Sequence, residues 1–290
     1  MTLTTPHPTW HPDDRASVVD AAAHALAEQY VFPDVGAALA DALRIWWATT
    51  PERPDTPEAF CAAVSAALRA HTPDGHLRLR VKPEKHPHHG REPFASAHGL
   101  TRAEILDGNV GLLELRGFFD VTAAAPIIAA ALQLMAGTRA LILDLRRNGG
   151  GDPACTAFLQ GFFFAEPLHV NTFWHRGATE GVQTWTPSVL PAPRYLDRPV
   201  FVLTSRRTAS GAEEVAYVLR HAGRATLIGE TTAGAAHPGE FVSVHPHLEL
   251  FVPGGRPVVP LTGGNWEGVG VEPHIAVPAA EALEVALGQL

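Results

Sequence analysis

Residues 141–151 read Leu141-Ile142-Leu143-Asp144-Leu145-Arg146-Arg147-Asn148-Gly149-Gly150-Gly151, an apolar run that ends in three successive glycines. The run predicts a strand, and the apolar pattern over 154–164 predicts a helix just beyond the glycines. A strand turning through glycine into a helix is a building unit of an α/β fold. Glycines at such a turn let backbone N–H groups face outward, which suits an anion or a developing oxyanion. They serve a tight, flexible turn equally well. The spacing is neither G-x-x-x-x-G-K-[ST] nor G-x-G-x-x-G, so it implies no nucleotide site.

Outward from this stretch, the C-terminal two thirds alternates strands and helices. Strands are predicted over 110–115, 140–145, 199–204, 225–229, 241–244 and 248–252, with helices near 123–136, 211–222 and 279–287; the segment from Trp174 to Trp185 reads as strand or irregular. That alternation predicts an α/β domain with a largely parallel sheet. The first third is helical. Val18, Val19, Ala22, Leu26 and Tyr30 recur at helical period, a second pattern covers 35–47, and Thr56-Pro57-Glu58 opens a third helix with a cap and a first-turn proline. These three helices predict an N-terminal bundle over 1–76. Thr72-Pro73-Asp74-Gly75 then turns the chain into His76 and a half-buried strand in which Leu77, Leu79 and Val81 alternate with Arg78, Arg80 and Lys82. An α/β domain is expected over 77–290, interrupted by a Pro/His-rich loop over 82–98.

Composition removes several classes. The 290 residues are 46% apolar, with 26 Gly and 25 Pro, an ordinary globular mixture rather than a disordered or fibrous one. The 22 basic and 30 acidic residues give a net charge of −8, and no segment gathers Arg and Lys into a stripe for phosphates, so nucleic acid is not an expected partner. Cys61 and Cys155 stand far apart in apolar helical patterns, as buried thiols of a reducing compartment do. The first residues show no basic segment followed by an apolar one, and the longest apolar stretch is too short to span a bilayer. The expectation is a soluble, cytoplasmic protein without a membrane partner.

Four places could carry chemistry. Ser210 follows the apolar strand FVLTS and opens a helix; with Glu213 three residues on it forms a literal capping box. The same position exposes a serine hydroxyl at the partial positive end of a helix, where a nucleophile is well placed, and the spacing allows both readings. His76 enters a strand from a sharp Asp-Gly turn. Glu267 lies in Gly263-Gly264-Asn265-Trp266-Glu267-Gly268-Val269-Gly270-Val271, a glycine-rich segment with an aromatic neighbour. His86, His88 and His89 invite a metal reading, but a Pro-broken loop fixes no coordination geometry, and neither metal nor cofactor is expected.

In order and rough spacing, LILDLRRNGGG, VFVLTSRRTASGAEEVAYVL, GRATLIGETTAG and NWEGVGVEPHIAV resemble the core of the tail-specific and tricorn-type serine proteases. The helical start, with QYVFPD and PDGHLRLRV, is similar to the modules of interphotoreceptor retinoid-binding protein and their bacterial relatives. The resemblance runs over about residues 15 to 287. It implies a ClpP/crotonase-like β-α spiral core behind the helical bundle, and a serine hydrolase acting on short peptides or peptide-like amides and esters. With only 26 residues between Val81 and Gly108, a PDZ domain has no room there.

Carried over by motif, the resemblance makes Ser210 the nucleophile. The processing proteases place a lysine base just after G-E-x-T-x-G, but here Gly229-Glu230-Thr231-Thr232-Ala233-Gly234 is followed by Ala235, and the chain's two lysines, Lys82 and Lys85, both lie in the Pro/His loop. The tricorn-type pattern instead implies His76 as the base and Glu267 as the acid that holds its tautomer and stabilises the imidazolium. The backbone N–H groups of Gly211 and Gly150 are the implied oxyanion hole. Gly75 stands where the tricorn-type pattern has a serine, and His274 where it has an aspartate. The rival reading is a non-catalytic module holding an apolar small ligand, as the retinoid-binding relatives do; a scaffold that kept the fold alone is a third. A homo-oligomer is compatible with all three.

Overall fold

The computed structural model of the protein describes residues 10–51, 53–72, 74–83 and 97–290. In chain order the elements begin with helices α1 (Arg15–Gln29), α2 (Pro33–Thr49) and α3 (Pro57–Arg69), then strands β1 (Arg78–Val81), β2 (Leu100–Leu106) and β3 (Val110–Leu115). Next come α4 (Val121–Met135), β4 (Ala140–Asp144), α5 (Pro153–Gln160), β5 (His169–His175), β6 (Val182–Trp185), β7 (Val200–Thr204) and α6 (Gly211–His221). The chain ends with β8 (Thr226–Gly229), β9 (Gly239–Ser243), β10 (Leu248–Pro253), β11 (Gly255–Val258), β12 (Ile275–Ala276) and α7 (Ala282–Gly288).

These elements fall into two compact units, which do not divide at residue 76. One comprises Met1–His88, His175–Thr179 and His237–Arg256; the other His89–Trp174, Glu180–Ala236 and Pro257–Leu290. In the first, α1 to α3 do not close a core among themselves. They share it with an antiparallel sheet ordered β1-β10-β9, in which Arg78 faces Phe251 and Val81 faces Leu248. Val19, Leu26, Phe60, Val64 and Leu68 pack with Leu77, Leu79, Leu248 and Leu250 in one apolar cluster. The start of α3 acts as the sequence implies, with Pro57 in its first turn and Thr56 Oγ1 accepting from the Ala59 N–H at 3.3 Å, and Pro33 starts α2 two residues before its expected pattern. Gly36 lets α2 lie close to α1, since a Cβ there would stand 2.5 Å from the Leu26 carbonyl oxygen.

The second unit is built on a six-stranded sheet ordered β12-β8-β7-β4-β3-β2. Neighbouring strands run parallel from β12 through β3, and β2 closes the edge antiparallel to β3. Alternation sorts the side chains: Leu113, Leu141, Leu143, Val202 and Leu227 pack with residues of α4, α5 and α6, while Leu112, Ile142, Leu203 and Ile228 pack with Ala282 and Ala286 of α7. Strands β5 and β6 pair as an antiparallel hairpin. The mixed α/β reading holds. Strands 241–244 and 248–252 belong instead to the antiparallel sheet of the first unit.

Both cysteines are buried and unpaired; burial pushes the Cys61 thiol up to about 11 and the Cys155 thiol to about 12, which keeps them protonated. Among the described residues no helix is long and apolar enough to cross a membrane. Most of the loop expected over 82–98, with Lys85 and the histidines at 86, 88 and 89, lies outside the described residues.

Candidate active site

Strands β4 and β7 are parallel neighbours, so the loops that follow them leave the sheet at the same edge, where open parallel sheets commonly present their ligand sites. Hydrogen bonds stitch the two loops together. Thr208 Oγ1 donates to the Leu145 carbonyl at 2.8 Å, Ser205 Oγ to that of Arg146 at 2.5 Å, and the Ala209 N–H to that of Asn148 at 3.1 Å. The glycine turn is thereby fixed against the start of α6.

Ser210 sits at that start with φ 54° and ψ −125°, a backbone state that costs a non-glycine residue about 1–3 kcal/mol and persists only where its surroundings enforce it. Two neighbours enforce it. Gly150, at φ +91°, comes so close that a Cβ on it would stand 2.7 Å from both Ser210 Cβ and the Gly211 nitrogen. From the other side, Glu213 accepts the Ser210 N–H at 2.8 Å. Ser210 and Glu213 form the capping box the spacing implies, but the Ser210 side chain makes no cap hydrogen bond in it; the Glu213 N–H goes to the Ser210 carbonyl at 2.8 Å.

Glu213 does more than cap. Its fully buried carboxylate also takes Thr232 Oγ1 at 2.5 Å and the N–H groups of Gly234 at 2.7 Å and Ala235 at 2.8 Å. Burial raises its pKa, opposed by these donors. Ala235, at the position of the missing lysine, therefore stands beside Ser210 with only a methyl group. One residue further, the Ala236 N–H donates to Glu267 Oε2 at 2.6 Å, while the Gly268 N–H donates to the Gly234 carbonyl at 2.9 Å. Glu267 thus lies along the segment that begins at the Ser210 clamp.

The two backbone N–H groups expected as oxyanion donors differ in their surroundings. The Gly211 N–H heads α6, where a helix leaves its N–H groups without intrahelical partners. The Gly150 N–H, expected to face a substrate, donates instead to Asn148 Oδ1 at 2.9 Å, because Asn148 folds its amide over its own turn.

His76 belongs to the first unit, in the turn entering β1. Its ring is stacked on Phe251 with centroids 5.6 Å apart, and its Nδ1 faces Asp74 Oδ1 at 3.5 Å. Asp74 is buried and also meets the Tyr30 hydroxyl at 3.0 Å and His237 Nδ1 at 3.3 Å. Burial alone would raise its pKa, but hydrogen bonds from His237 and His76 outweigh it and hold the carboxyl well below the usual range. The structure thus gathers Ser210, Gly211, Gly150 and Glu267 in the second unit and places His76 in the first with partners of its own.

Residues 109–277 match the model of Peptidase family S41. The chain belongs to that family. Among curated proteins, the carboxy-terminal processing protease CtpA of Bacillus subtilis (strain 168) is 28% identical over 132 residues, which are 46% of this S41 chain and only 27% of CtpA. Among solved structures, a putative peptidase from Parabacteroides merdae ATCC 43184 superposes with a TM-score of 0.70 at 17% identity, covering 97% of each chain. The tricorn protease gives a TM-score of 0.56 at 11% identity, over 93% of this chain and 35% of its own. At these identities the solved structures speak for the fold of an S41 chain.

In each unit the candidate residues have neighbours that no motif announces. Asp74 was legible only as a turn residue and Glu213 only as a cap. Tyr30 and His237 carry no local signal, since their link to Asp74 spans 44 and 163 residues. The one sequence hint was the spacing Asp-Gly-His, which returns a carboxylate to the ring two residues on.

Proposed function

We propose that the chain is a serine peptidase that hydrolyses short peptides or peptide-like amides and esters, with Ser210 as nucleophile, His76 as base and Glu267 as the acid of the relay. The observation that carries this reading is the strained Ser210 backbone, held between Gly150 and Glu213 with its side chain making no cap hydrogen bond. Strain of this kind gathers at reacting residues. A serine hydroxyl is a weak nucleophile until a base takes its proton, and neutral imidazole suits that task near pH 7.

In the proposed reaction Ser210 Oγ bonds to the substrate carbonyl carbon as its proton passes to His76. The resulting oxyanion takes the Gly211 N–H and competes with Asn148 Oδ1 for that of Gly150, each such donor contributing a few kcal/mol. The bond to the leaving group then breaks, the imidazolium returns its proton to the departing nitrogen or oxygen, and water releases the acyl group by the same steps. Glu267 supplies negative charge for the imidazolium. The core is read as a ClpP/crotonase-like β-α spiral, supported by the parallel strands and the helices between them.

A cleft of about 630 Å³ in the second unit, with Asp152, Ala157, Phe158, Phe173 and Trp185 in its lining, opens just after the glycine turn and supports a substrate with an apolar side chain. Ser210→Ala tests the proposal. Loss of hydrolysis with an unchanged circular dichroism spectrum supports it; wild-type hydrolysis by the variant removes Ser210 from the chemistry, and no hydrolysis by the wild-type protein leaves the binding-module reading in its place.

A further inference from the structure

His76 is held by a carboxylate of its own unit. The two oxygens of Asp74 divide the work: Oδ2 takes the Tyr30 hydroxyl at 3.0 Å and His237 Nδ1 at 3.3 Å, while Oδ1 takes the His76 backbone N–H at 3.0 Å and faces the ring Nδ1 at 3.5 Å. The backbone bond closes a turn that brings the imidazole back over the carboxylate. Phe251 stacks on the ring with the two planes 25° apart. The Asp74 side chain is 2% exposed and that of His76 14%, so little water competes at this contact.

We infer that Asp74 is a positioning residue for the His76 imidazole, keeping the proton on Nδ1 and leaving Nε2 bare to receive the serine proton. A buried carboxylate facing one ring nitrogen selects the tautomer that donates to it. Tyr30 and His237 hold Asp74 from its other oxygen, so the carboxylate is anchored independently of the ring it orients. Glu267 Oε2 meanwhile holds the Ala236 N–H. Two acids then have separate tasks, Asp74 orientation and Glu267 charge. The inference rests on the proposed Ser210–His76 pair.

The test is the inactivation of the intact protein by a fluorophosphonate, read as the maximal rate and the half-saturating probe concentration. Asp74→Asn keeps the shape but offers the ring an amide, so the maximal rate should fall on the order of a hundredfold or more, with the half-saturating concentration held within about threefold. Tyr30→Phe removes one support of Asp74 and leaves the other, so its maximal rate should fall by less than that of Asp74→Asn, with the half-saturating concentration held within about threefold. An Asp74→Asn rate equal to wild type overturns the inference. If Asp74→Asn does not fold, 15N NMR of histidine-labelled wild type decides, with His76 assigned by its loss in His76→Gln: neutral His76 protonated at Nδ1 supports the inference, and at Nε2 overturns it. Should Ser210→Ala or His76→Gln label like wild type, the Ser210–His76 pair itself fails and takes the inference with it. Loss of labelling in those two beside a wild-type Asp74→Asn removes Asp74 alone.

Discussion

Glu213 Oε2 lies 2.8 Å from the backbone nitrogen of Ser210 and accepts its hydrogen bond. The same oxygen takes the Ala235 N–H, and its partner oxygen takes Thr232 and Gly234. One buried carboxylate therefore ties the start of α6 to the segment that runs on to Glu267's partner, Ala236. Four donors converge on it among the described residues.

Glu213→Gln should accordingly be costly, because the amide nitrogen it introduces faces N–H groups. We expect a loss of about 2–4 kcal/mol in urea unfolding, as for broken buried networks around a charged acceptor. Activity should fall further than the folded fraction does, since Ser210 loses the bond that holds its φ. Wild-type stability in this variant would show that the clamp is dispensable.

Gly150→Ala tests the opposite wall. A methyl there would meet Ser210 Cβ, the Gly211 nitrogen and, at 2.8 Å, the Ala209 carbonyl oxygen, on a backbone at φ +91° that side chains rarely adopt. The glycine turn or Ser210 must shift, so hydrolysis should drop by at least about two orders of magnitude, as a misplacement near 1 Å does. Gly149→Ala, where a methyl meets nothing within 4 Å, is the matched control and should keep most activity.

A pH signature comes from the next residue of α6. Glu214 is buried among Thr156, Gln160 and Asn171, all of which donate to it, and burial pushes its pKa up to about 7 against those hydrogen bonds. Between the unfolded value of about 4.3 and about 7 the folded chain holds a proton that the unfolded chain has lost, so stability should fall as pH rises, by up to about 1.4 kcal/mol per unit. Asp74, with its pKa lowered by folding, acts in another window, losing its contribution only as pH drops below its unfolded value of about 3.9. Urea midpoints from pH 4.5 to 7 for wild type and Glu214→Gln check this; the variant's downward slope should be shallower, with Glu213, whose pKa burial also raises, supplying what is left.

What the sequence disclosed depended on how local the cause was. The helices of the first unit and strands β3, β4, β7 and β8 were legible because each carries its own apolar period. β2 was not: its side chains are mostly exposed, and its order comes from pairing with β3 at the sheet edge. The sheet of the first unit was not either, because β1 finds β10 about 170 residues away and no local pattern announces that partner. The same division runs through the candidate residues of the two units. Ser210 and the glycine turn lie in contiguous motifs, whereas the Tyr30–Asp74–His237 grouping exists only after folding. At Gly150 the motif shows the glycine but not the Asn148 amide oxygen that accepts its N–H.

The choice of base can be checked with three variants. His76→Ala and His76→Gln should lose most hydrolysis, by roughly two to four orders of magnitude for a general base. Lys82, whose ammonium meets Ser243 Oγ at 2.6 Å in the first unit, should be replaceable by Ala with little loss. Active His76 variants beside an inactive Lys82→Ala would reverse the assignment.

The central claim is that Ser210 is a nucleophile. Its most direct measurement is to treat the intact protein with a fluorophosphonate and locate the adduct by peptide mass spectrometry. The account predicts a single stoichiometric adduct on Ser210, absent from heat-denatured protein and from Ser210→Ala. No adduct on the folded chain, or one on another residue that Ser210→Ala retains, would contradict it.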